Sequence, residues 1–427
     1  MRVLVVGQGA REHALVARLA AERDVGEIVA APGNPGIARL ARTVSVNASD
    51  LDAVVSLAER EQIDLTVVGP ELPLSLGLAD RFESAGRMIF GPSAAAAQLE
   101  SSKAFAKAFM ARRGVPTARF RICDTLDEAL ESVRADEFGM PVVLKADGLA
   151  AGKGVVIAED RAAAERAITD AMRERKFGAA GDRLVIEECL KGPEVSFFVA
   201  CDGARAVPIG TAQDHKRALD DDRGPNTGGM GAFAPSPLVD AALEARIMSE
   251  IVTPVVRGMA AEGHPFRGFL YVGLMLTAGG PRVIEFNVRL GDPEAQVVLP
   301  LIEEPLLPIL IACAAGALRQ TSVRLGADRL AGVVLASRGY PESSESGQPI
   351  RGIEAAEMIP GVTVYHAGTS AKEGQIVTAG GRVLTVVGRG EDFAEAIARA
   401  YAGVLRISFD GMHYRHDIGR KALSLQP

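Results

Sequence analysis

Val3–Val6 is an unbroken apolar run that stops at Gly7-Gln8-Gly9 and gives way, from about Arg11 to Glu22, to a helical pattern. A strand that is apolar at every position has no solvent face, so it must be covered on both sides, as parallel strands between helices are. Short runs of the same kind recur at Ile28–Ala30, Leu65–Val68 and Met88–Phe90, with helical stretches between them. Strands interleaved with helices call for right-handed βαβ crossovers, so the region up to about Ala97 is expected to be a doubly wound parallel α/β sheet. Ligands of such sheets bind beyond the carboxyl ends of the strands. The loops Gly7–Glu12, Pro32–Gly36 and Gly69–Glu71 occupy those places.

The pattern changes after about Ser101. Pro141–Lys145 and Gly154–Ala158 read as strands joined by a glycine-rich loop, Leu184–Glu188 is followed by Glu194–Ala200 and Val207–Gly210, and Gly268–Thr277 and Arg282–Val288 flank Ala278-Gly279-Gly280-Pro281. That is α+β architecture rich in hairpins. A third region, from about Leu330, carries strands at Gly332–Ala336, Thr363–His366 and Arg382–Val387 and a helix from Phe393 to Leu405, with Tyr340–Gln348 as a polar surface loop. A chain of 427 residues is long enough for such a division into several cores. Its net charge of -7 argues against nonspecific binding to nucleic acid or to an anionic membrane. The apolar start is too short for a signal peptide, and Pro305–Leu318 has the length of a buried helix, not of a membrane span. Four scattered cysteines without a CxxC pair fit a reduced, cytoplasmic protein.

Three loops invite a phosphate. In Gly7-Gln8-Gly9-Ala10-Arg11-Glu12 the third glycine of a dinucleotide fingerprint is replaced by Glu12, and no acid follows the second strand, which argues against a nicotinamide dehydrogenase. Glycines with Arg11 at a helix start suit one phosphate; a tight turn would explain the glycines but not the Arg-Glu pair. Lys145–Gly154 is not a Walker A loop, because Gly148 and Gly152 enclose only three residues and the setting is strand–loop–strand. Lys145 and Lys153 flank its glycines, which a merely flexible hairpin does not require, so a flap over nucleotide phosphates is expected. On Arg282–Val288, Glu285 and Asn287 share a face with Arg289 next in the row. Two oxygen ligands of this kind suit Mg2+ held jointly with phosphates. Leu290–Glu294 is then a turn with two more carboxylates, Asp292 and Glu294. Gln213–Arg217 and Gly224–Gly231 read as loops more polar than a plain connection needs, with His215 equally suited to structure or catalysis.

The order of these motifs resembles the ATP-grasp ligases and, among them, the phosphoribosylamine–glycine ligases. The likeness runs through GQGAREHA (Gly7–Ala14), APGNPG (Ala31–Gly36), VGPELPL (Val68–Leu74), KADGLAAGKGV (Lys145–Val155), QDHKR, GPNTGGMGAF, VIEFNVRLGDPE and YHAGT (Tyr365–Thr369). Ala10 stands where relatives commonly have glycine. The resemblance implies an N-terminal α/β substrate-binding domain (1–102), an ATP-grasp region (103–326, with about 123–190 as a mobile ATP-binding subdomain) and a C-terminal α+β domain (327–427). It implies a cytoplasmic monomer that uses ATP and Mg2+ (or Mn2+) to join glycine to 5-phosphoribosylamine through glycyl phosphate. Glu285 and Asn287 would hold the metal. ATP would be bound by Lys103, Lys145, Gly148, Gly152, Lys153, the Glu187–Leu190 backbone with Glu188, and Glu194. The ribosylamine would meet Gly9, Arg11, Glu12, Asn34, Glu71, Lys216, Asn226, Thr227 and Gly228, and Arg289, Asp292 and Asp214 would stand at the reacting centre. A carboxylase of the same superfamily would keep Lys145, Glu285 and Asn287 but carry other substrate loops.

Overall fold

The computed structural model describes residues 1–149 and 154–424. Its first sheet contains β1 (Arg2–Gly7), β2 (Glu27–Pro32), β3 (Arg42–Thr43), β4 (Leu65–Val68) and β5 (Ile89–Phe90), all parallel, in the order β3-β2-β1-β4-β5. Val3 and Val5 feed one hydrophobic core while Leu4 and Val6 feed another, which is why this strand has no polar position. The strand order reverses between β1 and β4, and the chain turns Gly7–Gly9 and Gly69–Glu71 leave the carboxyl ends of those two strands side by side. Helix Ala10–Ala20 starts at Gly9, and Ala10 opens it without a positive φ, so the alanine is unstrained.

The second sheet is antiparallel, with β6 (Phe120–Cys123), β7 (Val142–Ala146), β8 (Val155–Ala158) and β9 (Leu184–Glu188) in the order β6-β9-β7-β8. Helices Leu126–Arg134 and Arg161–Met172 cover it and close a core of its own. Both helices begin at a side-chain cap, Thr125 and Asp160. Lys145 lies at the end of β7, where the glycine-rich segment begins.

The third sheet has eight strands. They are β10 (Glu194–Asp202), β11 (Ala206–Asp214), β14 (Gly231–Ala234), β15 (Arg267–Thr277), β16 (Gly280–Asn287), β17 (Arg329–Ala336), β18 (Val362–His366) and β21 (Arg382–Gly390). Their order is β16-β15-β10-β11-β14-β17-β21-β18. Two ribbons stand off it, β12 (Arg217–Leu219) with β13 (Arg223–Asn226), and β19 (Thr369–Lys372) with β20 (Gln375–Thr378).

Two sequence expectations change here. The runs Leu184–Glu188 and Glu194–Ala200 do not pair; they enter different sheets, and Gly192, at positive φ against the Leu276 carbonyl, lets the chain cross between them. The segments 213–217 and 224–231 are not wholly loops, because Gln213, Asp214, Arg217, Asn226 and Gly231 are strand residues. The pairing of β14 with β17 carries one sheet across the boundary expected at 326/327. Helix Leu306–Ala314 is packed into the core with Leu306, Leu307, Ile309 and Leu310 buried. Among the described residues no helix is long and apolar enough to cross a membrane, and all four cysteines are free.

Candidate active site

A cleft of about 920 Å³ opens where the three sheets meet. One end carries cations. Helix Lys103–Arg113 begins at Ser102, and Asp147 accepts from Ser102 Oγ at 3.0 Å and from the Ala104 N–H at 3.1 Å, so the base of the glycine-rich segment is tied to the helix start. Lys103 Nζ then donates to the Gly148 carbonyl at 2.9 Å. Burial lowers the Lys103 pKa, with Glu285 partly opposing it. Lys145 Nζ donates to the Ile284 carbonyl at 2.9 Å and pairs with Glu187 at 3.0 Å, while Lys107 Nζ pairs with the other Glu187 oxygen at 2.7 Å. Burial brings Lys107 down to about 8, with Glu187 opposing. Three ammonium groups share this end, and Glu187 alone bridges two of them.

Glu285 and Asn287 come from β16 and line the same cleft. The Asn287 amide is assigned with its nitrogen toward the Phe286 carbonyl at 3.2 Å and Glu100 at 3.0 Å, because the opposite orientation would face its oxygen to both acceptors. No group of three or more His, Cys, Asp or Glu could cage a metal among the described residues. The donor set of one carboxylate and one amide oxygen therefore fits a hard cation that completes its shell with phosphates and water, as Mg2+ does.

The other end is built from the N-terminal sheet and the turn after β16. Arg11 bonds the Leu290 carbonyl at 3.2 Å. Arg289 lies between Glu71 at 3.1 Å and Glu100 at 2.8 Å. Asp292 accepts from Gln296 at 2.8 Å and pairs with Arg382 at 3.1 Å. Burial pushes the Asp292 carboxyl up, but the Arg382 and Arg11 guanidiniums outweigh it and hold the group below the usual carboxylate range. Between the two ends lies an acidic patch. Ser196 Oγ donates to Glu294 at 3.1 Å, and burial together with Asp214 pushes Glu294 up to about 7. Asp214 is raised as well, by burial, with Lys216 opposing.

The chain matches one family over most of its length: the phosphoribosylglycinamide synthetase N domain over residues 1–100, its ATP-grasp (A) domain over 101–295 and its C domain over 330–421. The chain belongs to that family. Curated relatives called phosphoribosylamine–glycine ligase include one from Xylella fastidiosa, 50% identical over 99% of this chain and 98% of its own. Another, from Neisseria meningitidis, is 47% identical over 99% of this chain and its full length. The crystal structure of the phosphoribosylamine–glycine ligase of Thermotoga maritima superposes with a TM-score of 0.85 at 33% identity, covering 98% of this chain and all of that one. A biotin carboxylase–β,γ-ATP complex from Campylobacter jejuni shares the fold, at a TM-score of 0.74 and 18% identity over 97% of this chain and 92% of that one.

For this phosphoribosylglycinamide synthetase family member, the cleft gathers most of the residues expected from sequence. Arg11, Glu71, Lys103, Lys145, Gly148, Glu187, Asp214, Lys216, Asn226, Thr227, Gly228, Glu285, Asn287, Arg289 and Asp292 all line it. Gly152 and Lys153 lie outside the described residues. Six others are placed differently. Glu12 is buried beneath the first turn, where it accepts from the Gly9 N–H and from Arg11 Nε at 2.6 Å each. It aims Arg11 and leaves no oxygen for a ligand, and its side chain fills the space beside Gly69. Gly9 gives its N–H to that bond. Asn34 spends its amide on the Gln8 and His366 carbonyls and the Ile37 N–H, joining the N-terminal sheet to β18. Glu187 lies in β9 between β6 and β7, and the Glu188 N–H donates to the Arg119 carbonyl at 3.1 Å. Glu188 turns its carboxylate to Arg119 at 2.8 Å, and Leu190 lies off the cleft. Glu194 pairs with Lys216 at the rim.

Other lining residues had no place in the sequence reading. Lys107 carried a signal that was there to find, since it stands four residues after Lys103 on the next turn of the same helix, whereas Glu100 belongs to the preceding helix across the extended Ser102. Tyr271, Tyr340 and Arg382 carried none; the stretch Tyr340–Ser344, expected to be a surface loop, forms part of the wall.

Proposed function

We propose that this chain is the ATP-dependent ligase that couples glycine to 5-phosphoribosylamine, giving glycinamide ribonucleotide, ADP and phosphate in purine synthesis. The observation that carries the reading is that one cleft holds lysines, an oxygen pair for a metal, and an arginine–carboxylate end side by side. A carboxylate is a poor electrophile, so the first step moves the γ-phosphoryl group of ATP onto a glycine carboxylate oxygen, breaking the bond to ADP. The ribosylamine nitrogen then attacks the glycyl carbonyl, the carbon–oxygen bond to phosphate breaks, and the amine loses a proton. Positioning and charge stabilisation suffice for both steps. Lys103 and Lys145 neutralise phosphate oxygens, with Glu187 holding Lys145 in place until they arrive. Glu285 and Asn287 would hold Mg2+, or Mn2+ in its place, which supplies Lewis-acid polarisation of the transferring group when bound.

Arg11 and Arg289 face the phosphoribosyl group, with Glu71 orienting Arg289. Asp214 attracts the amine, and Lys216 and Asn226–Gly228 close that side. Glu188–Leu190 and Glu194 border the nucleoside. Gly148 borders the phosphates where the glycine-rich segment begins. In this reading 1–102 binds the ribosylamine, 103–326 is the ATP-grasp region with 123–190 as the moving part, and 327–427 completes the wall; the enzyme works as a cytoplasmic monomer. The test is ADP release from Mg-ATP with glycine and fresh phosphoribosylamine supplied separately and together. Release only with both, yielding glycinamide ribonucleotide, supports it; release with a different carboxylate–amine pair keeps the ligase chemistry and discards these substrates.

A further inference from the structure

Arg382 begins β21, in the part of the chain that matches the family's C domain, yet its guanidinium reaches into the cleft. There it ties two segments that belong to the central part of the chain. Nη1 donates to the carbonyl of Gly228 at 2.5 Å and to that of Asp292 at 2.6 Å, with the Gly229 carbonyl at 3.4 Å. Nη2 pairs with the Asp292 carboxylate at 3.1 Å. A second contact comes from the same side, because the Gly228 N–H donates to Tyr340 Oη at 2.9 Å. These approaches leave no room for side chains. A Cβ on Gly228 would stand 3.1 Å from Arg382 Cζ, one on Gly381 would stand 2.4 Å from the Tyr340 ring, and one on Gly229 would meet Pro293 Cδ at 2.4 Å. Gly229 also has a φ of +111°, which side chains disfavour.

We propose that Arg382 is a positioning residue of the ligase site: it clamps the 226–229 turn onto the 291–293 turn and so fixes Asp292 and the Asn226–Gly228 edge against the reacting centre. The proposal rests on the reaction given above. Three carbonyls and a carboxylate engage its two Nη atoms, so Arg382 acts through the two turns. A planar guanidinium bridges three carbonyls and a carboxylate at once, which a lysine ammonium on a flexible stem cannot reproduce.

The test uses the full-length R382A and R382K proteins beside the wild type, with thermal unfolding to establish folding. Steady-state kinetics vary glycine, phosphoribosylamine and ATP in turn. R382A is expected to lose about 100-fold in kcat, the scale of a displaced reacting group. R382K is expected to lose on the order of tenfold, since one point charge replaces the fork. The KM for ATP should stay within about twofold, because the lysine end is untouched. Added guanidinium ion should restore part of the R382A rate and none of a wild-type deficit. Hydrogen exchange, which does not depend on turnover, should rise in R382A at 226–231 and 290–294. Unchanged kcat in folded R382A overturns the clamp, as does unchanged exchange in both segments. A wild type without ligase activity, with exchange still raised in R382A, would overturn the reaction and leave the clamp standing.

Discussion

Glu187→Ala removes one carboxylate from between two buried ammoniums. The Glu187, Lys107 and Lys145 side chains are 3%, 3% and 6% exposed. At about 3 Å and an effective dielectric of about 20, each pair attracts by about 5 kcal/mol. Desolvation offsets much of that, so removing the shared partner of buried charges costs about 3–5 kcal/mol. Part of the loss depends on pH. A stranded lysine can give up its proton, and each unit between its wild-type folded pKa and pH 7 then costs about 1.4 kcal/mol. Lys107 is already lowered to about 8 with the carboxylate present, so it is the group that yields. Without Glu187 its folded pKa falls further, and the folded variant then binds fewer protons than the unfolded chain above pH 7. Relative to wild type, stability of the variant therefore rises between pH 7 and about pH 8, and the deficit at pH 9 should be smaller than at pH 7 by about 1.4 kcal/mol. Urea unfolding of wild type and E187A at pH 7 and pH 9, followed by fluorescence and by far-UV signal, measures both numbers. A loss under about 1 kcal/mol at pH 7, or the same deficit at both pH values, would refute the account of Glu187 as the bridge.

Glu285→Ala should abolish ligation while the protein remains folded, checked by ADP release; turnover within about tenfold of wild type would remove Glu285 from the metal site. Arg11→Ala should raise the KM for phosphoribosylamine about tenfold and leave kcat within about threefold, the signature of lost substrate binding; an unchanged KM excludes Arg11 from the site. Burial and His366 lower His13 to about 3, and burial lowers His366 to about 4, so both are neutral when folded but can be protonated when unfolded. Their contribution is intact above pH 6.5 and is lost as pH falls below it, by about 1–2 kcal/mol for each histidine between pH 7 and pH 5. His13→Asn should remove one histidine's share, about 1–2 kcal/mol, of the loss between pH 7 and pH 5 in urea titrations; an unchanged slope refutes it.

Much of the site could be read in the chain itself because the relevant signals are local. Glu285 and Asn287 share a face since strand side chains alternate, and Lys145 precedes glycines because a strand must end where a loop begins. Glu12 shows the limit of such reading. Its acidity next to the glycines was plain, but only the turn of the backbone directs it inward to the Gly9 N–H and to Arg11. The same holds for Asn34, whose partner His366 is 332 residues away.

The sequence by itself determined the parallel sheet, through a strand with no polar position, and the placing of Lys145 at a strand end before glycines and of Glu285 and Asn287 on one strand face, through period and glycine placement. Tertiary structure alone decided that β14 and β17 make one sheet of two regions, and that Arg382, 154 residues from Gly228, completes the cleft. Backbone periodicity reports which way a side chain points from its own element. Which groups it meets depends on how distant elements pack, and no local pattern carries that.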